Sequence, residues 1–289
     1  MNTIAWFGTG LMGSGFVEAL CGRGADVAVY NRTASKAKAL ETFGARAFAD
    51  AREAARSRKR IHLMLSDDAA VDALLDEIAD TIDADAIVID HTTVAPHPTA
   101  ARFARMAERK IAFVHAPVFM SPQATRAASG VMMVAGAQAT FDCVRAELEK
   151  MTAHLWYVGE RVDKAATLKL VGNEMLFFIT AALADGYAIG AGAGLTPTET
   201  FELFEHFKPA AAIESRGKSM AEGTFEPAAF ELTMARKDAR LMLETAAVGS
   251  EKVRVLPAIA ARMDELIAAG HGARDLAVLG LDTAPAVAG

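Results

Sequence analysis

The first 161 residues alternate apolar strands with helices and the remainder is helical throughout, so the chain reads as an α/β domain followed by an all-helical one. Three observations carry that class. The apolar run Thr3 to Phe7 has the unbroken hydrophobicity of a strand buried on both faces of a parallel sheet. Gly8-Thr9-Gly10-Leu11-Met12-Gly13 follows it as G-x-G-x-x-G and opens a helix through Phe16 and Leu20. After Gly159-Glu160 the strand–helix alternation stops. A glycine pattern between a strand and a helix, with a second strand at Val27–Tyr30, is the fingerprint of a dinucleotide-binding Rossmann domain. Gly8 permits the tight turn, Gly10 lets a pyrophosphate approach the backbone, and Gly13 lets the helix pack close to the strand. The free N–H groups and the positive end of the helix dipole then face the phosphates.

The expected division is a dinucleotide-binding domain over 1–161 and a helical substrate and dimerisation domain over 162–289, the latter beginning with a long interdomain helix. The chain has 289 residues, 52% hydrophobic and 23% charged, enough for two domains with a sizeable core. Its net charge of −6 argues against a general affinity for nucleic acid or an anionic membrane. Cys21 and Cys143 have no metal or redox spacing, so no metal is expected, and both read as buried free thiols of a reducing cytoplasm. A chain starting directly in a strand carries no signal peptide in this reading. The longest apolar stretch, Met175 to Leu195, contains Asp185 and reads as a buried helix of a soluble protein, not a membrane span.

In order along the first half, the second strand ends in Tyr30-Asn31-Arg32-Thr33, with Lys36 one helical turn on. A cofactor without a 2′-phosphate is usually held at this strand end by an acidic residue, and none is here. Arg32, Thr33 and Lys36 offer instead the donors and charge that suit a phosphate dianion, which selects NADP over NAD. The plainer alternative is a solvated arginine. Ile61–Leu65 is the next strand, ending at Ser66-Asp67-Asp68. Ser66 there can cap the following helix, and it also lies at the strand end that faces a cofactor. Ile87–Asp90 leads to His91-Thr92-Thr93, where the pair Thr92-Thr93 again lies at a strand end that faces a ligand and the histidines are poor catalytic candidates. Ile111–His115 is a strand and 116–122 a loop; Val131–Gly136 and Leu155–Val158 are strands flanking a helix from Phe141 to Met151.

The second half is helical from about Val162 to Ala193 and carries Lys169-Leu170-Val171-Gly172-Asn173. Lys169 and Asn173 are four apart and share one helix face. Gly172 between them costs helix stability, roughly 1 kcal/mol against Ala, and leaves room for a flat ring. A lysine among apolar residues reads either as a snorkelling side chain or as a general acid/base whose pKa its surroundings lower. Thr196-Pro197 starts another helix, and Ala228–Ala247 a further one bearing Phe230, Lys237 and Asp238, the last two pointing apart. A short turn is expected over Asp275–Leu279 and a loose tail from Asp282.

Together these motifs resemble the β-hydroxyacid dehydrogenase family, which includes 3-hydroxyisobutyrate dehydrogenases and glyoxylate/succinic semialdehyde reductases. The resemblance spans nearly the full length. Gly8 to Gly13 with Leu11-Met12 matches the family's G-x-G-x-M-G. Asn31-Arg32-Thr33 matches its NADP-preferring branch, and Met64-Leu65-Ser66-Asp67 and Asp90-His91-Thr92-Thr93 match two cofactor-side loops. The resemblance implies NADP held by Gly8, Gly10, Leu11, Met12, Gly13, Asn31, Arg32, Thr33, Lys36, Leu65, Ser66, Thr93 and Lys237. It implies Lys169 as catalytic acid/base with Asn173 as its partner, and Lys237-Asp238 as a motif near cofactor and substrate. The substrate side is expected to comprise Phe119, Met120, Ser121, Asn173, Phe230 and Lys237. One departure stands out. The family's substrate loop, Asp-x-Pro-Val-Ser-Gly-Gly, here reads His115-Ala116-Pro117-Val118-Phe119-Met120-Ser121, which makes that wall bulkier and more apolar. The implied activity is hydride transfer between NADPH and a small hydroxyacid or semialdehyde in the cleft between the domains, by a cytoplasmic homodimer or homotetramer. The alternatives are imine reduction, against which Lys169 counts because imine reductases usually lack it, and a catalytically idle NADP-binding module.

Overall fold

The computed structural model describes residues 3–249 and 252–282; the tail expected to be loose lies outside the described residues from 283 on. The chain divides into two compact units, Met1–Glu174 and Met175–Gly289.

The first unit is organised around a sheet of nine strands. These are β1 (Thr3–Phe7), β2 (Asp26–Tyr30), β3 (Arg46–Ala47), β4 (Arg60–Leu63), β5 (Ile87–Asp90), β6 (Ala112–His115), β7 (Val118–Phe119), β8 (Val131–Ala135) and β9 (His154–Gly159). They lie in the order β3-β2-β1-β4-β5-β6-β8-β7, with β9 also paired to β8. From β3 to β6 every pairing is parallel. β8 then runs antiparallel to β6 and β7 and parallel to β9. Alternate residues of β1 explain its unbroken apolar sequence. Ile4 and Trp6 enter the hydrophobic core on one face, and Ala5 and Phe7 enter the core on the other. The chain leaves β1 toward β2 on one side and comes back to β4 on the other. The order therefore reverses at β1, and a ligand crevice opens at the carboxyl ends there. The expected α/β domain followed by helices is thus the observed architecture. The two-residue strands β3 and β7 are too short to leave a periodic signal. Segment 116–122, expected as a loop, contains β7, whose Phe119 pairs with Val131.

A helix expected over 162–193 is observed over Lys164–Gly192, and the division between the units falls inside it. Beyond it come helices Pro197–His206, Ala212–Glu222, Leu232–Val248 and Leu256–Leu266. Thr196 caps the first of these in a reciprocal capping box with Glu199. Phe225, Leu232, Ala235, Met263 and Leu266 form the core of this unit. The Asp185 carboxylate accepts the backbone N–H groups of Arg254, Val255 and Leu256 at 2.7, 2.9 and 2.9 Å, which satisfies the start of the last helix.

Three expectations need correcting. The long helix is not buried by its own chain: Leu176, Phe177 and Phe178 are 55, 72 and 51% exposed. Among the described residues it is the one helix long and apolar enough to cross a membrane by length and composition. Cys143 is exposed, because it falls on the outer face of its helix, while Cys21 is half-buried. Ser66 does not cap the helix that follows; Asp67 does, accepting from Ala70 N–H at 2.9 Å, and the Ser66 hydroxyl donates to Asp67 at 2.7 Å.

Candidate active site

At the carboxyl end of β1 the chain turns through Gly8 with φ +93°, a left-handed conformation that a side chain resists. A Cβ there would also stand 2.1 Å from Met64 O. At Gly13 a Cβ would stand 2.0 Å from Gly8 O, so the helix can begin this close to the strand only at a glycine. Gly10 differs: no protein atom lies within 4 Å of the Cβ position, and the missing side chain opens onto free space. The first helical bond is Ser14 N–H to Gly10 O at 2.9 Å, so the N–H groups of Leu11, Met12 and Gly13 are unsatisfied helix-start donors. The Thr9 hydroxyl is buried with no partner among the described residues.

A cleft of about 490 Å³ adjoins this turn, lined by Gly8, Gly10, Asn31, Arg32, Thr33, Lys36, Leu65 and Ser66 among others. Its size is that of a small-molecule site. Asn31 links two of its walls: its Oδ1 accepts from Thr9 N–H and its Nδ2 donates to Thr33 O, each at 3.1 Å. Arg32 and Lys36 are exposed and make no ion pair among the described residues. Asp67 nearby is held below the usual carboxylate range by the Ala70 N–H, then by the Ser66 hydroxyl, with Arg32 adding to it. The turn therefore presents unpaired backbone donors and an orphan hydroxyl, and the cleft's lining adds the cations Arg32 and Lys36, neither in an ion pair among the described residues. That donor set fits a phosphate-bearing dinucleotide.

Beneath the turn the strand ends are tied together by buried polar groups. Leu65 N–H donates to Thr92 Oγ1 at 3.0 Å. His115 Nε2 donates to Thr92 O at 3.0 Å, and His91 Nδ1 to Ala116 O at 2.7 Å. His91 Nε2 then accepts from His62 Nδ1 at 2.9 Å. Trp6 stacks on His62 and His91 and donates to Gly8 O at 3.1 Å. Burial lowers the pKa of all three histidines, and that of His91 falls to about 4.

Lys169 lies on the part of the long helix that belongs to the first unit. Its Nζ donates to Asn173 Oδ1 at 2.9 Å. An ammonium has only donors, so the amide oxygen is the atom that must face it. The same Nζ stands 4.1 Å from the centroid of the Phe119 ring, in cation–π geometry. Burial lowers the Lys169 pKa from its ordinary value. The arrangement is a half-buried amine with one oriented hydrogen bond and a pKa that burial lowers, the chemistry open to a proton donor or acceptor.

The first unit thus brings together Lys169, Asn173 and Phe119, and separately gathers the turn glycines with Asn31, Arg32, Thr33, Lys36, Leu65 and Ser66. Met12 is partly buried against the core, and the Leu11 side chain points to solvent. Only their backbones face the helix start. Thr93 is exposed; its neighbour Thr92 is the buried one that joins two loops. Ser121 accepts from Ala124 N–H at 3.1 Å as a helix cap. In the second unit, Phe230 precedes its helix and packs partly buried on the core, its N–H donating to Asp275 at 3.0 Å. Lys237 and Asp238 do not diverge: Nζ lies 2.9 Å from Oδ1 in an ion pair, because a long lysine side chain can fold back on its neighbour. Thr9 is not singled out by the sequence, and Thr92 is marked there only as half of the Thr92-Thr93 pair. A hydroxyl one residue into a glycine turn was the available signal for the first.

A parallel sheet with a glycine turn at its switch point and a cation-edged cleft beside it defines a dinucleotide-binding protein. The chain belongs to the family described by the NAD-binding domain of 6-phosphogluconate dehydrogenase, whose model matches residues 3–159. It is 28% identical over 283 residues to the oxidoreductase YfjR of Bacillus subtilis (strain 168), covering 96% of this chain and 98% of that one. It is 28% identical over 279 residues to glyoxylate/succinic semialdehyde reductase 2, chloroplastic, of Arabidopsis thaliana, covering 94 and 76%. An imine reductase from Myxococcus stipitatus, solved with NADP+, superposes with a TM-score of 0.88 over 96% of this chain and 98% of its own; at 21% identity that likeness is one of fold. The expected kinship with the β-hydroxyacid dehydrogenases is borne out, and the chain is an NAD(P)-dependent oxidoreductase.

Proposed function

We propose that this protein transfers a hydride between NADP(H) and a small hydroxyacid or the matching semialdehyde, with Lys169 as general acid/base. The observation that carries the reading is the half-buried Lys169 amine, oriented by Asn173 at 2.9 Å. The nicotinamide cofactor, when bound, supplies or accepts the hydride. In reduction the Lys169 ammonium gives its proton to the carbonyl oxygen; in oxidation the neutral amine takes the hydroxyl proton. Asn173 fixes the amine's direction, and burial lowers its pKa, which favours release of the proton. Gly8, Gly10 and the backbone at Leu11, Met12 and Gly13 would cradle the pyrophosphate, with Leu65, Ser66 and Thr93 on the cofactor side. Lys237, when its ion pair with Asp238 opens, would supply positive charge for the cofactor or for a carboxylate remote from the reacting carbon.

By role, residues 1–161 form the cofactor domain and 162–289 the substrate and dimerisation domain. The apolar stretch around Phe177 that this chain leaves uncovered supports a homodimer or homotetramer, since exposed patches of that kind mark protein interfaces. Two unpaired cysteines agree with a cytoplasmic location.

The cofactor assignment rests on Arg32, just past β2, and Lys36, one helical turn on, both exposed and without an ion pair among the described residues. Charge-assisted bonds to a phosphate contribute about 1.5–3 kcal/mol each. Arg32→Ala is therefore expected to raise the NADPH KM by about 10–100-fold and to leave that for NADH nearly unchanged. Equal losses with both cofactors would refute an arginine that reads the 2′-phosphate.

The function itself is tested by NADPH oxidation over glyoxylate, succinic, methylmalonic and tartronic semialdehydes, bulkier aldehydes, and a cyclic imine. Turnover of carbonyl compounds is expected. Turnover of the imine alone would establish the alternative chemistry, and none at all would leave a cofactor-binding module without catalysis.

A further inference from the structure

Phe119 stands where it decides what lies beside the reacting amine. Its ring covers one side of Lys169, with the centroid 4.1 Å from Nζ. The ring also rests on the helix at Gly172, where a Cβ would come within 2.2 Å of Cζ and 2.7 Å of Cε1. Any other residue at 172 would push the ring off the amine. From behind, the Phe119 backbone is paired with Val131 in the sheet, and its side chain packs beside Val131 and Leu168 against Met133, Ala135, Val158 and Ala165. The ring is packed between the sheet and the long helix.

The polar groups that follow in the same segment are engaged elsewhere. Ser121 Oγ caps its helix, and Thr125 Oγ1 donates to Pro122 O at 2.9 Å. Arg126 is held by Glu18 and by Pro122 O. Met120, next to the ring, packs partly buried on the core. Arg126, the cation of that segment, is thus engaged and is not free for a carboxylate. Beside Lys169 the first unit offers the face of an aromatic ring, whose negative quadrupole repels an anion.

We propose that Phe119 is the specificity wall of the reaction site, so that this protein acts on carbonyl compounds bearing an apolar group, not a carboxylate, on the reacting carbon. The proposal rests on Lys169 as the proton donor and narrows the substrate class assigned to it. An α-oxo acid such as glyoxylate would set its carboxylate against the ring. A branched alkyl or aryl aldehyde would set apolar surface there and displace water.

The test is a matched pair of aldehydes with equal numbers of heavy atoms, glyoxylate and 2-methylpropanal, assayed with NADPH on the full chain. The wild-type protein is expected to favour 2-methylpropanal in kcat/KM by at least about tenfold, the low end of what apolar complementarity gives. Phe119→Ser is expected to shrink or reverse that ratio. Phe119→Leu keeps the bulk and is expected to keep the preference. It loses the π face that stabilises the ammonium, so the alkaline limb of kcat for reduction should move to lower pH. A purely structural role for the ring would not move that limb. Preference for glyoxylate in the wild type, or an unchanged ratio in both variants, would overturn the wall. Binding of NADPH without turnover of any carbonyl would overturn the acid/base reading, and the wall with it.

Discussion

Lys169→Ala is expected to slow turnover by about 10²–10⁴-fold, the usual contribution of a positioned general acid, while NADPH affinity stays essentially unchanged. The side chain's recorded contacts explain why the two effects separate. Lys169 bonds Asn173 and the Phe119 ring, whereas the cleft that gathers Arg32, Lys36 and the glycine turn includes neither Lys169 nor its partners. The sign of the pH dependence follows from the direction of the shift. Burial lowers the amine pKa, so carbonyl reduction, which needs the ammonium, falls as pH rises through that lowered value. Alcohol oxidation, which needs the free amine, rises through the same value. In Lys169→Ala both limbs should disappear. Lys169→Arg keeps the charge but cannot release a proton near neutrality, so it should be as slow as the alanine variant. If arginine restored the rate, the residue would be acting as a fixed charge and not as an acid. Asn173→Ala, which leaves the amine in place but unoriented, should lose less and shift the limb. Measuring kcat against pH in both directions, with NADPH affinity followed by fluorescence, separates these cases.

The sequence announced the first unit because each of its signals has a local physical cause. Gly8 and Gly13 must be glycine for reasons internal to one turn, and Thr3–Phe7 must be apolar because both its faces are covered. Lys169 and Asn173 could be paired from spacing alone, since a helix brings residues four apart together. What was not legible depends on contacts between segments distant in sequence. Phe119 over Lys169 joins residues 50 apart, and no periodicity links a two-residue strand to a helix face. Thr92, not Thr93, faces inward because of how β5 hands over to its loop, a choice that one residue of phase decides. The long helix looked like core because its composition is that of core. Composition does not say whether the cover comes from the same chain.

Lowering the pH from 7 toward 4 is expected to destabilise the first unit through the histidines under the glycine turn, with His91 contributing about 3 kcal/mol. The folded pKa of His91 is about 4 against an ordinary 6.5, chiefly because the ring is fully buried. Between those values the unfolded chain binds the proton and the folded one does not. Stability is therefore full above 6.5, declines as the pH falls, and has lost this contribution once it passes 4. The hydrogen bonds enforce the neutral form. Nδ1 already donates to Ala116 O, and Nε2 accepts from His62, so a second proton would face a donor. His62 and His115 shift in the same direction, also by burial. Asp90, fully buried with Arg102 Nη1 3.9 Å away, is raised by burial and so opposes them, regaining stability as the pH falls. Trp6 stacks on His62 and His91 and reports the network directly. In a Trp156→Phe background, which leaves Trp6 as the only indole, urea midpoints between pH 7 and 4 should fall more steeply than in the same protein carrying His91→Gln. Parallel slopes in the two would mean that His91 carries none of the proton linkage, and that the rings beneath the cofactor turn serve only to fill space.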